Sequence, residues 1–279
     1  MTVYQKFFGC LLTFSLLAAC HNNPAPATAT SPAGSDSSGI REETIAFPAD
    51  SVDIHAFVVY NDSVKGRRPA ILVLPEWWGM NDYPKMRARM LAKLGYVAMA
   101  VDVYGGGRVT ENPDTAGVWA ATLYRHPERA KARIDAAIDR LKTYDNVDTS
   151  KIGAIGYCFG GGVLLNTVRL GDDLKGVVSF HGTLLGTPAR KGVLRTKILV
   201  CHGNADKFVT PAMVAEFKKQ MDSIGADYTF VGYDSATHAF TNPASTATGQ
   251  KYHMPIAYNG KADTASWEAM KGFFAGLFK

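Results

Sequence analysis

Cysteine is scarce in this chain: Cys10, Cys20, Cys158 and Cys201 are the four in 279 residues. Their spacing with the histidines fits no structural zinc site, and neither a metal nor a cofactor is implied. A Cys158–Cys201 disulfide is disfavoured because the two fall on different strand-like segments. Charge of one sign is also missing. With 30 basic and 25 acidic residues the net charge is +5, scattered and without a basic stripe, so no nucleic-acid partner is implied. No apolar run reaches the roughly 20 residues of a comfortable membrane span. Linkers and repeats are absent beyond residue 42, so residues 42–279 read as one domain with one buried core.

The first forty residues carry an export signature. Lys6 precedes an apolar stretch at residues 7–17, and residues 1–19 read as a signal peptide. The stretch ends Leu17, Ala18, Ala19, Cys20, which resembles a bacterial lipobox. That resemblance implies cleavage before Cys20, a lipid on its thiol and a membrane reached through that anchor. An ordinary secretory cleavage beside an incidental Cys, or a short anchor, is the alternative. Residues 20–41 are rich in Asn, Pro, Ala, Thr, Ser and Gly and read as a flexible tether. His21, rather than Asp, follows Cys20. By resemblance to enterobacterial sorting, this implies anchoring in the periplasm at the outer membrane.

The most informative motif is Gly156, Tyr157, Cys158, Phe159, Gly160. A β-type segment at residues 152–155 runs into a helical one at 161–170, with Cys158 on the corner. This is the nucleophile elbow of α/β-hydrolases with a thiol in place of the hydroxyl. The corner cramps the nucleophile's backbone, and side chains two residues to either side would clash. It also puts the sulfur at a helix N-terminus, where the dipole and free N–H groups favour thiolate. Alone, the motif fits equally a tight turn around a buried, inert Cys.

The partners follow in the order nucleophile, acid, histidine. Asp206 lies in the loop after the apolar run at 197–201, and His238 in the loop after the strand-like run at 228–233. Ligand sites collect at such strand ends in open α/β sheets. His238 would take the thiol proton and later protonate the leaving group, with Asp206 orienting its ring. His202 and His181 also follow strands and compete for that role, while His126 reads as solvated and Cys201 as core. The run at 70–74 ends in Pro75, Glu76, Trp77, Trp78. The N–H groups of Trp77 and Phe159 would form the oxyanion hole, with Glu76 at the mouth of the same site. A solvated loop carboxylate is the alternative for Glu76.

Leu74 to Asn81, Ala100 to Gly105, Gly156 to Gly161, His202 to Asp206 and Thr237 to Phe240 together resemble the dienelactone hydrolase family. The resemblance covers about residues 42–279 and implies a Cys158–His238–Asp206 triad, an α/β-hydrolase fold and hydrolysis of an ester or lactone. It also implies that Glu76 holds the thiol proton until substrate arrives. The family's anion-binding arginines are incomplete here. Arg108 is displaced behind Gly105, Gly106 and Gly107, Asn242 stands four residues after His238, and Ala239 replaces a Ser. A small-molecule ester or lactone other than a dienelactone is expected. Trp78, Tyr104, Arg108 and Asn242 are the candidate substrate contacts, whereas Trp119 and Tyr124 read as packing.

The remaining pattern alternates strands and helices after an opening hairpin at 43–48 and 52–60. Helices are expected at 82–94, 127–144, 160–170, 211–224 and 264–278, and strands at 70–74, 97–103, 151–156, 175–180, 196–202 and 227–233. This predicts a mostly parallel central sheet with helices on both faces. Residues 104–117 read as a glycine-rich loop, either a pocket wall or lid or a plain connection. Two further functions compete with hydrolysis. One is a surface lipoprotein using the fold as a binding module, and the other is a redox-responsive thiol protein. Neither needs Asp206 and His238.

Overall fold

Strands whose side chains are buried on both faces need a covering layer on each side. The computed structural model, which describes residues 39–172 and 174–279, provides both layers. Among these residues the order is β1 (Ile40–Ala49), β2 (Val52–Asn61), β3 (Arg68–Leu74), α1 (Asp82–Lys93), β4 (Val97–Val101), α2 (Pro113–Arg125), α3 (Pro127–Lys142), β5 (Val147–Tyr157), α4 (Phe159–Arg169), β6 (Gly176–Phe180), β7 (Lys197–Gly203), α5 (Pro211–Ile224), β8 (Tyr228–Tyr233), α6 (Ser245–Tyr252) and α7 (Gly260–Leu277). The signal peptide and Cys20 lie outside the described residues. The first strand starts at Ile40, inside the stretch expected to be tether.

The strands form a single sheet in the order β1-β2-β4-β3-β5-β6-β7-β8. β1–β2 and β2–β4 pair antiparallel, and every later pairing is parallel. The expected opening hairpin is there, with Ala49 opposite Val52 at its turn. Along β3 the pleat sends Ala70, Leu72 and Leu74 to one face and Ile71 and Val73 to the other. The first face packs on α2, α3, α4 and α5 through residues such as Leu123, Ile134, Leu164 and Phe217. The second packs on α1 and α7 through Leu91, Met270 and Phe274. The expectation of helices on both faces holds.

Two helices depart from the sequence expectation. Residues 104–117 are not one loop, because α2 begins inside them at Pro113. The side chain of Asn112 caps that helix by accepting from the N–H groups of Asp114 and Thr115. The short helix α6 was not anticipated at all. Its polar sequence carries little amphipathic signal, and it starts without a side-chain cap. The loop before α2 is tied down at its root. Asp102 accepts from Tyr104 N at 3.0 Å and from Gly107 N at 2.7 Å. Arg133 donates to the carbonyl of Val103 at 2.7 Å and pairs with Asp50 at 2.8 Å.

Candidate active site

β5 ends and α4 begins within two residues, and Cys158 occupies the corner at φ 50° and ψ −112°. That left-handed backbone costs a non-glycine residue on the order of 1–3 kcal/mol and persists only where its surroundings hold it. Here the Cys158 N–H donates to the Phe180 carbonyl at 3.0 Å and to His181 Nδ1 at 3.1 Å. The flanking glycines are required sterically. A Cβ on Gly156 would sit 2.4 Å from the Gly160 carbonyl carbon, and one on Gly160 would sit 2.6 Å from the Pro75 oxygen. Gly160 N donates to that same Pro75 oxygen at 3.0 Å, locking the β3 loop onto the start of α4.

Two successive strand ends deliver the other groups to this edge. His238 lies in the loop after β8, and its Nε2 is 3.0 Å from Cys158 Sγ. Its Nδ1 is 2.8 Å from Asp206 Oδ2, in the loop after β7. The other Asp206 oxygen accepts from Phe208 N at 2.8 Å and Val209 N at 3.0 Å. Burial alone would raise the Asp206 pKa, but the bond to His238 and these two amides outweigh it and leave it lowered. For His238, burial works against the charged ring. The facing Cys158 sulfur and the Asp206 carboxylate overcome that penalty and raise its pKa above the usual histidine range. The arrangement therefore favours an imidazolium beside the sulfur.

Glu76 is 4% exposed and accepts a hydrogen bond from Asn242 Nδ2 at 2.7 Å. Burial pushes its pKa up to about 7, against smaller opposing effects of Asn242, His238 and Arg87. It lines, with Cys158 and His238, a cavity of about 190 Å³ walled by Trp77, Trp78, Phe159, Phe208, Met254 and Ile256. A second depression of about 390 Å³ lies beyond Trp78 and is lined by Asn242, Lys251 and Tyr252 among others. A broader depression of about 840 Å³ between α3 and the loops after α4 has neither cysteine nor histidine in its lining.

The other expected residues separate clearly. Phe159 is at the first position of α4, where a helix leaves its amides without intrahelical acceptors. Trp77 and Trp78 wall the cavity. Asn242 meets Glu76 and faces the outer depression. Tyr104 and Arg108 do not line the inner cavity. Tyr104 is buried under it, stacked on Phe159 at 4.9 Å, and donates to the Trp77 carbonyl at 3.1 Å. Arg108 is exposed, with its guanidinium 5.8 Å from the Trp119 ring centroid. Tyr124, expected only to pack, reaches the cavity wall. His126 is exposed and bonded to Glu128, and His202 packs near Phe230. Cys201 is a free thiol inside the sheet, and burial pushes its pKa up to about 12.

Sequence reasoning left His181 unresolved and missed the residues behind it. Since a backbone N–H can only donate, His181 Nδ1 accepts from Cys158, and Nε2–H points to Thr241 Oγ1 at 2.7 Å. That hydroxyl is 2.7 Å from Tyr83 Oη, which accepts from Arg87 at 3.3 Å. Arg87 pairs in turn with Asp263 at 2.6 Å. Burial, together with the neighbouring His238 and Arg87, holds the His181 pKa well below its ordinary value. It is a neutral prop beneath the elbow. Phe208, Met254 and Ile256 were also missed, because they come from loops with no periodic signal.

Comparison with known proteins identifies the family. A solved dienelactone hydrolase-like promiscuous phosphotriesterase from metagenomic libraries is 31% identical, with a TM-score of 0.80 over 86% of this chain and 99% of its own. A putative carboxymethylenebutenolidase of Methylorubrum extorquens is 26% identical over 77% of both chains. A probable 2-oxo-3-(5-oxofuran-2-ylidene)propanoate lactonase of Bradyrhizobium is 27% identical over 73% of this chain and 82% of its own. The model of the dienelactone hydrolase family matches residues 54–278, and the chain belongs to that family.

Proposed function

We propose that the protein hydrolyses a carboxylic ester or lactone through an acyl-thioenzyme on Cys158. The observation that carries this reading is the line Cys158 Sγ, His238 and Asp206, at 3.0 and 2.8 Å, on an elbow that holds Cys158 at φ 50°. A binding module or a redox thiol needs a pocket or a sulfur, but not a histidine aligned between sulfur and carboxylate.

The steps follow from the geometry. The Cys158 thiolate attacks the carbonyl carbon, and the oxyanion accepts from the N–H groups of Trp77 and Phe159. As the tetrahedral adduct collapses, the carbon–oxygen bond of the ester breaks and His238 Nε2–H protonates the departing alkoxide. Neutral His238 then removes a proton from water, which attacks the thioester. Loss of the sulfur releases the acid and restores thiolate and imidazolium. Asp206 keeps Nδ1–H of the ring oriented throughout. Glu76 lines the same cavity and titrates near neutral pH, as a resting carrier of the thiol proton must. The names of the lactonase and carboxymethylenebutenolidase relatives support the ester or lactone class.

The test is steady-state hydrolysis of p-nitrophenyl acetate by the full-length protein in detergent. Cys158→Ala is expected to lose about four orders of magnitude in kcat/KM while keeping its circular dichroism. Activity retained by that variant sinks the proposal. The sequence of residues 1–21 supports export and lipidation at Cys20, with the enzyme anchored in the periplasm at the outer membrane. Cys20→Ser should then move the protein from the membrane fraction to the soluble one. An unchanged distribution refutes the anchor.

A further inference from the structure

We propose, building on the hydrolase reading above, that the substrate carries an uncharged apolar group of about benzene's size beside the scissile carbonyl, and that a carboxylate in that place is rejected. Size comes from the cavity. An apolar cavity of roughly 150 Å³ accepts benzene, and this one holds about 190 Å³ next to Cys158. Its walls are the apolar faces of Trp77, Trp78, Phe159, Phe208, Met254 and Ile256. Phe208 is 48% exposed at the mouth, with its ring 5.2 Å from that of His238. Such an exposed ring is ready to cover an apolar ligand.

Charge comes from what surrounds the cavity. Neither lysine nor arginine is among its lining residues. Three basic side chains on the surrounding elements are engaged elsewhere. Arg87 is engaged by Asp263 and the Thr241 carbonyl, Arg108 lies over Trp119, and Lys251 faces the outer depression beside Glu111. The acidic group on the wall is Glu76, and its hydrogen-bond partner Asn242 is neutral. A substrate carboxylate placed here would shed its water, find neither lysine nor arginine to replace it, and face a second carboxylate. His238 supplies one positive charge, but it already faces the Cys158 sulfur and Asp206.

The experiment compares p-nitrophenyl pentanoate and phenylacetate with mono-p-nitrophenyl succinate, which has nearly the pentanoate's length but ends in a carboxylate. At about pH 8 the neutral esters should exceed the succinate by about 100-fold in kcat/KM, equivalent to about 2.7 kcal/mol. The ratio should narrow below about pH 6, where Glu76 takes up its proton while the succinate stays charged. Glu76→Gln should narrow it at pH 8, and Met254→Lys, which puts a cation on the wall, should narrow it further. Succinate turnover equal to that of pentanoate in the unmodified protein overturns the proposal. So does a ratio unmoved by both substitutions. Binding by Cys158→Ala, followed through tryptophan fluorescence, keeps the two readings apart. If that variant binds phenylacetate ester but not the succinate while the unmodified protein turns over neither, the hydrolase reading fails and the substrate class stands.

Discussion

Two histidines meet Cys158, one at its sulfur and one at its backbone N–H, and their surroundings push their charges in opposite directions. The His238 and His181 rings are 5.3 Å apart and both are buried, at 7% and 1% exposure. Each follows a strand on the same edge of the sheet. Burial disfavours charge in both. On the His238 side, a sulfur and a carboxylate reverse that penalty, and its pKa rises. On the His181 side, the ring meets a backbone N–H and a hydroxyl, and its pKa falls. Depth therefore does not set the charge of either ring. The neighbours do.

The comparison breaks most severely at His238 itself. His238→Ala leaves the sulfur without proton acceptor or donor, and kcat for a p-nitrophenyl ester should fall about 10⁴-fold or more. Cys201→Ala, which removes the other free thiol among the described residues, should stay within about threefold on the same assay, with some loss of Tm from the small cavity. Equal losses for the two variants would mean that location on the edge counts for nothing.

Asp206→Asn sharpens the same point by removing charge while keeping shape. It should lower kcat about 10³- to 10⁴-fold. The His238 ring, titrated by NMR, should protonate at lower pH than in the unmodified protein. An unmoved titration would show that the sulfur alone sets the ring's charge.

Glu76 extends the contrast to a carboxyl on the His238 side. Its pKa of about 7 lies above the ordinary 4.5, so the folded protein binds its proton more tightly than the unfolded chain. The resulting stabilisation is fully present below about pH 4.5 and is lost as pH rises through about 7, amounting to at most on the order of 3 kcal/mol. Denaturant titrations of Glu76→Gln should show that slope flattened, with the variant gaining on the parent at pH 8 but not at pH 4. Parallel curves for the two proteins would rule out a buried, titrating Glu76.

His181→Ala is the smallest expected change. It removes one of two hydrogen bonds from the Cys158 N–H and one from the Thr241 hydroxyl, leaving the Phe180 carbonyl and Tyr83 Oη as partners, at a cost of about 0.5–1.5 kcal/mol per bond lost. Because the elbow is also held by Phe180, kcat should fall only about tenfold. The pH limb set by His238 should stay in place. A shifted limb would make His181 a proton carrier rather than a prop.

Legibility in the sequence divides along the same line. The elbow turn was readable because sterics demand glycine at 156 and 160, and the convergence of Asp206 and His238 was readable because parallel strand ends share one edge. The division between His181, His202 and His238 was only partly readable. All three follow strands, and only the fold shows which ring meets the sulfur. Tyr104 and Arg108, read as candidate substrate contacts, lie outside the inner cavity, one stacked on Phe159 and the other over Trp119. Met254 and Ile256 lie beyond α6, whose polar sequence concealed both the helix and the wall it delivers.

The most direct test of the central claim is rapid-quench intact mass spectrometry of the full-length protein mixed with p-nitrophenyl acetate. An acetyl group that appears on Cys158 within the p-nitrophenol burst and then decays at the steady-state rate is the expected result. Turnover with Cys158 unlabelled throughout would contradict an acyl-thioenzyme at this site.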